Sequence, residues 1–452
     1  MSRSWRRGEA AEVPRQETTT PARVQATGAS RRSIALFALV FMACGPQSAV
    51  PVQVVPPLPT HGGPRWTELT SPHFTLWTDC TEDRAHELIY ELERYRQLVV
   101  ATVFPKAAAS ARVTVVAVRD ASELPLTAKA RPSAGTFRAR GNATLQTFMM
   151  LAAHVQYGYE ESVEAGETAR AVLFGVFREL PSWLEGALSF YFASLNINER
   201  DSMASIGELP VILSHRVSVE GAHLAKLFAC VSEACVNKDT TTTGWAVVAY
   251  LFSERAGELA AYLELLAAGR PADLAWAQAV PTPLDVLERD VRAWLLSGRH
   301  TVLHYKVQFP HWQVTERALA DAEILAVRAL MSSLVPDTGM ARMRADRDAA
   351  LALAPTNVLA NMLALADHRN IDRERASAIV AAHPDDWRAW WIAGRSLDGA
   401  PALAARAQAC ALAAANPAAE PPADWCARAT TTQADHPADA AGPGAPPTPP
   451  AP

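Results

Sequence analysis

The residues best suited to chemistry are three glutamates and one arginine on two successive predicted helices. Glu164, Glu167 and Arg170 lie in one helix, and Glu185 follows a Pro-Ser-Trp-Leu run at 181–184. Carboxylates serve as general bases and as ligands of divalent cations, but when they gather in one place they need a compensating positive charge. We therefore expect Arg170 to pair with Glu167 or Glu185; an Arg170 that points to solvent is the alternative.

The histidines do not add an obvious metal site. His154, His215 and His223 show no histidine or glutamate partner at the i, i+4 spacing that places two ligands on one helical face. His86 is followed by Glu87, but Tyr90 stands where a second histidine would be needed. We interpret His86 and Glu87 as the polar flank of an amphipathic helix, and the other histidines as structural residues.

An α+β fold is predicted to position these residues. Residues 73–77 alternate like a strand, 112–118 and 145–151 are rich in strand-forming residues, and residues 85–99 place apolar side chains on one helical face. After about residue 163 the pattern is helical throughout, including an apolar core helix at 245–252. A small strand-helix-strand unit is thus expected to precede a mostly helical region, with Trp183, Tyr191 and Phe192 in its core.

The segment 163–170, together with Pro181-Ser182-Trp183-Leu184-Glu185-Gly186 and the following helix to 192, resembles the active-site region of a bacterial family. This is the gluzincin-like, "peptidase MA-like" domain of exported proteins, in which H-E-x-x-H precedes P-x-W-L-x-E-G-x-A-x-Y-F. The resemblance extends loosely from residue 66 to about 300, and it implies a metallopeptidase-like domain at 65–305. In that motif two histidines and a downstream glutamate bind zinc, and the motif glutamate activates the bound water.

The resemblance places Gly166 and Arg170 at the two histidine positions and Glu167 at the general base. Glycine has no ligand atom, and a guanidinium has no lone pair to donate. The Trp-Leu-Glu-Gly stretch is one residue shorter than the family motif, which turns Glu185 by about 100° around a helix. We therefore expect no catalytic residue, no bound metal and no cofactor. Zinc would require unexpected ligands, such as His154 with Glu167 and Glu185.

The N-terminus is typical of an export signal. Residues 1–33 carry seven arginines, and ten apolar residues at 34–43 end at Cys44, a run too short to span a bilayer. The Phe-Met-Ala-Cys-Gly sequence resembles a lipoprotein signal, so Cys44 is the expected site of lipidation. An uncleaved anchor and a cleaved soluble signal are the alternatives. Residues 1–44 are thus the predicted signal, and 45–64 a proline-rich tether.

The other five cysteines suit an oxidising compartment. Cys230 and Cys235 are close enough in sequence for a local disulfide, and Cys410 and Cys426 could join two C-terminal helices. Cys80 is expected to remain unpaired. No C-x₂-C or C-x₄-C spacing recurs in a second pair of cysteines, as a structural zinc site would need.

Residues 306–426 are predicted to form helical hairpins. The turns Ala-Pro-Thr-Asn at 354–357, His-Pro-Asp-Asp at 383–386 and Asn-Pro at 416–417 place their prolines 29 and 33 residues apart. This period resembles degenerate tetratricopeptide repeats, although ordinary helical hairpins would look similar. The tail at 427–452 contains no large apolar side chain, and seven of its last sixteen residues are proline, so we predict disorder.

Composition limits the function further. The net charge of −5 is spread without a basic stripe, which argues against a nucleic-acid partner. The pattern favours an exported cell-envelope protein, in the periplasm or at the outer membrane, held to the membrane by a lipid and binding an unknown protein or peptide partner. An active zinc metallopeptidase with unusual ligands and a structural envelope spacer are the alternative hypotheses.

Overall fold

The computed structural model describes residues 55–103, 112–124, 134–138, 147–152, 163–177, 180–198, 200, 202–208, 223–230, 238–298, 300–334, 338–415 and 426. The predicted export signal with Cys44, the tail from 427, and Cys235, His154 and His215 lie outside these residues. Helices and strands within the described part form an α+β fold, as the sequence predicts.

The strands are β1 (Thr67–Thr70), β2 (Phe74–Thr78), β3 (Val113–Val118), β4 (Ala134–Arg138), β5 (Thr147–Ala152), β6 (Asn196–Asn198), β7 (Met203–Ile206), β8 (Leu303–Lys306) and β9 (Thr315–Ala318). The helices are α1 (Glu82–Val103), α2 (Val163–Val176), α3 (Ser182–Ala193), α4 (Leu224–Phe228), α5 (Lys238–Glu254), α6 (Ala256–Ala267), α7 (Ala272–Ala279), α8 (Leu284–Ser297), α9 (Asp321–Ser333), α10 (Thr338–Leu353), α11 (Val358–Ala366), α12 (Arg373–Ala382), α13 (Trp387–Ser396) and α14 (Gly399–Ala415).

The larger sheet has the strand order β4-β5-β3-β2-β1-β9. Strands β2, β3 and β5 are parallel, whereas β4, β1 and β9 pair antiparallel to their neighbours. The strands predicted at 73–77, 112–118 and 145–151 and the helix across 85–99 are confirmed as β2, β3, β5 and α1. The apolar residues of these elements recur with the period of a strand or of a helix, and they therefore lie on the sides that face a core.

Both faces of this sheet are covered by helices. One face packs Leu76, Val115 and Met149 against the apolar side of α1. The opposite face packs Val116 and Met150 against α9, which contributes Ile324 among others. Because successive strand residues point to opposite faces, β3, which is apolar except for Thr114, is buried on both sides.

The sequence pattern predicts that the chain is helical throughout after about residue 163. For the middle of the chain this prediction is wrong. The short strands β6, β7 and β8 form a second, antiparallel sheet in the order β6-β7-β8, and β9 joins the larger sheet. Each has only three or four residues, too few to produce a clear periodic signal. Helices α2, α3 and α5 to α8 pack around one apolar core beside this small sheet.

Helices α11 to α14 share a separate core centred on Ile379, Trp387 and Trp391. The two turns with proline in this region each end one helix and begin the next, with Asn357 and Asp386 as side-chain N-caps. Helices α11 to α14 thus lie within the region where the sequence predicts helical hairpins. Their assignment to the tetratricopeptide class stays a prediction.

Two predicted boundaries do not separate independent regions. Residue 305 lies in β8, and the chain then returns through β9 to the larger sheet, so the regions before and after it share a core. Part of the predicted tether is packed rather than solvated, since Leu58 lies against α9 and the Thr60 hydroxyl donates to Asp321. Burial of the Leu58 side chain against this apolar surface is favourable because it removes apolar area from water.

Candidate functional site

The candidate site lies where α2 crosses α3. The two helices run antiparallel, because Gly166 meets Ser189 and Ala193 while Arg170 meets Glu185 one turn further along. Both helices are strongly apolar on their shared face, which places them in the core formed with α5. All four residues singled out from the sequence, Gly166, Glu167, Arg170 and Glu185, therefore lie at one helix-helix contact or on its edge.

Gly166 is a point of close backbone approach. A Cβ atom at this position would lie 2.9 Å from the Ser189 carbonyl oxygen and 3.2 Å from the Ala193 Cβ. The Ser189 hydroxyl also donates a 2.9 Å hydrogen bond to the Gly166 carbonyl oxygen. The glycine is thus occupied in a packing role, and the direction in which a side chain would leave it is filled by α3.

Arg170 lies between the two acidic residues predicted to be its partners. Its Nη1 is 3.5 Å from Glu167 Oε1, and its Nε is 3.3 Å from Glu185 Oε1. The Nε contact is an ion-pair distance without hydrogen-bond geometry. The predicted pairing of Arg170 is confirmed, and it involves both carboxylates. Its side chain is 27% exposed, so the cation lies at the rim of the helix contact rather than in the deep core.

Glu164 lies outside this pair, on the side of α2 that faces α1. It interacts electrostatically with Arg84 and Glu91. Burial raises the pKa of Glu91, and repulsion from the Glu87 and Glu164 carboxylates raises it further, although Arg84 opposes the effect. The three glutamates of the sequence prediction are therefore divided between two cations, Arg84 and Arg170.

The metal-ligand geometry of a zinc peptidase is not formed by the described residues here. Neither Glu167 nor Glu185 belongs to a described group of three His, Cys, Asp or Glu side chains close enough to share an ion. His223, at the start of α4, lies 3.9 Å from Glu288 instead. With a guanidinium between the two carboxylates, the arrangement can neutralise their charge but offers no nitrogen donor to a metal.

The aromatic residues of α3 have the structural role predicted for them. Trp183, Tyr191 and Phe192 are each less than 5% exposed. The Trp183 ring lies 4.9 Å from that of Phe228, and the Tyr191 ring stacks on Phe252 at 4.6 Å. They hold α3 in place and leave little aromatic surface for a substrate.

A different cluster could hold a divalent cation, and the sequence reasoning missed it. One ligand atom from each of Glu82, His86 and Glu316 lies within 4.8 Å of the others. His86 Nε2 is 3.1 Å from Glu316 Oε2. Glu82 and His86 stand at i and i+4 on α1, a spacing that was visible in the sequence. Glu316 comes from β9, and only the sheet topology brings it there.

The structure describes most of the cysteines for which the sequence makes a prediction. Cys410 and Cys426 form the predicted disulfide. Cys80 is buried and free, as expected. Cys230 is also disulfide-bonded, while Cys235 lies outside the described residues.

None of the described helices is both long and apolar enough to cross a bilayer.

In comparisons with other proteins, no protein-family model matches this sequence, and no curated protein matches it at a significant level.

Proposed function

We propose that this chain is a cell-envelope lipoprotein whose metallopeptidase-like domain is catalytically inactive and which acts by binding a protein or peptide. The observation that carries the proposal is the Arg170 guanidinium between Glu167 and Glu185. At those positions an active relative would need nitrogen donors and a metal ion, whereas here an internal cation balances the acids. The packed Gly166 supports the same conclusion, because α3 fills the space beside it.

Export is supported by the oxidised cysteines. Disulfides persist in secreted and envelope proteins and are rare in a reducing cytosol. The Cys410–Cys426 bond and the bonded Cys230 are therefore consistent with the export signal proposed at 1–44. We propose that Cys44 carries the lipid. Cys44→Ser should abolish fatty-acid labelling and move the protein from the membrane to the soluble fraction, whereas Cys80→Ser should do neither.

Metal content tests the inactive-domain proposal. We expect purified protein to contain much less than stoichiometric zinc, and Glu167→Ala to leave that content unchanged. Stoichiometric zinc that is lost in Glu167→Ala would overturn the proposal and favour an active peptidase. Incubation with a mixed peptide pool, followed by mass spectrometry, should recover the peptides intact.

The second candidate is a zinc-dependent function through a non-standard ligand set. It is favoured by the cluster of Glu82, His86 and Glu316, which supplies three donors of the types that zinc accepts. Zinc that disappears in His86→Ala but stays in Glu167→Ala would support this candidate. An envelope spacer is a further alternative, and the absence of any peptide or protein binding would favour it.

A further inference from the structure

A polar groove separates the larger sheet from the C-terminal helices. Thr70, Thr75 and Thr114 are paired across β1, β2 and β3, so their side chains form one row on the sheet face opposite α1. The other wall is the turn at 383–386, between α12 and α13. The groove has a volume of about 520 Å³, within the range of pockets that hold small ligands or short peptides.

The groove continues past this row. A second cavity, of about 570 Å³, lies between β9, α9 and the turn at 354–357, and it shares five lining residues with the first, namely Glu68, Trp77, His383, Asp386 and Arg388. Arg112 lines only the first cavity. The two cavities therefore form one channel with Arg112 towards one end, which suits an extended chain better than a compact molecule.

Arg112 has no partner among the described residues. Its Nε is shielded from solvent but makes no hydrogen bond, and no described carboxylate forms an ion pair with it. The other charges of the channel are largely committed: Glu68 accepts from Trp77 and Arg317, and Asp386 pairs with Arg388. A buried Nε–H without an acceptor is costly, and a bound anion would satisfy it.

The groups beside Arg112 add donors of the right kind. The Thr70 and Thr75 hydroxyls make no hydrogen bond within the described part of the chain, and both line the groove. A planar guanidinium and adjacent hydroxyls together match the geometry of a carboxylate. Asp385 is exposed on the opposite wall, near Asp386. The Asp385 carboxylate would repel a chain of phosphates more strongly than a single carboxylate, so a single carboxylate is favoured over a polyanion.

We propose that this channel binds the C-terminal end of an extended peptide, with the terminal carboxylate held by Arg112, Thr70 and Thr75. The inference rests on the proposed binding function and adds the place and chemistry of binding. The rest of the peptide lies along Trp77 towards α9, where the channel is lined by apolar Leu319, Val327 and Leu359.

The test uses two pools of fluorescein-labelled hexapeptides that lack Asp and Glu, one with a free C-terminal carboxylate and one amidated. Fluorescence anisotropy with the full chain should show that the carboxylate pool binds about tenfold or more tightly than the amidated pool. Arg112→Gln should remove this difference by weakening only the carboxylate pool. Arg292→Gln, which changes an exposed arginine on α8, is the matched control and should preserve it.

Each other outcome contradicts the inference in a distinct way. If both pools bind equally to the unchanged chain, or if Arg112→Gln weakens both equally, peptide binding stands but the carboxylate site is wrong. If sodium tripolyphosphate displaces the peptides more effectively than the unlabelled carboxylate pool, the ligand is a polyanion. If neither pool binds, the inference and the proposed peptide-binding function fail together.

Discussion

Gly166→Ala is the most direct test of how α2 and α3 pack. In an isolated helix this change should stabilise the chain by about 1 kcal/mol, because alanine is the better helix former. Here the new Cβ would lie 2.9 Å from the Ser189 carbonyl oxygen, a backbone atom that moves only if the helix moves. We therefore expect the substitution to destabilise the protein.

The expected magnitude follows from three effects. Overpacking of a tight contact costs about 1–3 kcal/mol. Separating the helices also strains the hydrogen bond from the Ser189 hydroxyl to the Gly166 carbonyl, whose loss costs about 1 kcal/mol. The gain in helix propensity offsets about 1 kcal/mol of this sum. The net decrease in the free energy of unfolding is thus about 1–3 kcal/mol.

Gly186→Ala on α3 is the matched control. Nothing lies within 4 Å of a Cβ built at Gly186, so only the propensity effect applies there. It should stabilise the protein by about 0.5–1 kcal/mol. Urea unfolding followed by tryptophan fluorescence measures both, since Trp183 lies in the core next to this contact. An unfolding midpoint for Gly166→Ala that equals or exceeds that of Gly186→Ala would refute the packing argument.

Three further predictions concern other parts of the fold. Cys410→Ser should lower stability by about 3 kcal/mol, because the disulfide to Cys426 closes a loop with a sequence separation of 16; reducing agent should erase the difference between variant and parent. Burial, reinforced by the charge of a neighbouring aspartate, raises the pKa of Glu123 from 4.5 to about 7. The folded state therefore binds this proton more tightly than the unfolded state. The free energy of unfolding falls by at most about 3 kcal/mol as the pH rises from 4.5 to about 7. Glu123→Gln should flatten this part of the measured curve of unfolding free energy against pH. Asp367→Asn should lower the free energy of unfolding, measured in urea, by about 3 kcal/mol, because it removes an ion-pair partner of Arg347, whose side chain is 0% exposed. A decrease no larger than that of an exposed surface substitution would contradict this expectation.

The regular elements of the larger sheet could be predicted from the sequence because burial there follows the backbone period. Alternation in β2 and the apolar run of β3 reflect faces covered by helices. β9 could not be predicted in the same way. Its four residues are all exposed, and it is placed by pairing with β1 and by the two hydrogen bonds that Arg317 donates to Glu68. Contacts between residues 249 positions apart leave no local signal.

In the candidate site, only the pairing of charged side chains could be predicted from the sequence. Arg170 stands three residues after Glu167, so a pairing between them follows from helix geometry alone. The role of Gly166 could not be read in this way, because in sequence it appears only as a missing ligand. Its packing depends on the crossing of α2 and α3, which brings the Ser189 backbone against it. Similarly, Glu316 completes the cluster around His86 only through the sheet topology.

The return of the chain through β9 also bears on binding. Arg317 donates to Glu68 on β1 and to Glu323 in the first turn of α9, and Glu323 in turn accepts from the Ala320 backbone N–H. One side chain thus links the sheet wall of the channel to the helix that bounds its other end. Because this contact already joins the sheet wall to α9 without a ligand, binding there would require little ordering of these two elements. A peptide end could then be recognised with modest contacts, provided that Arg112 supplies the charge complement.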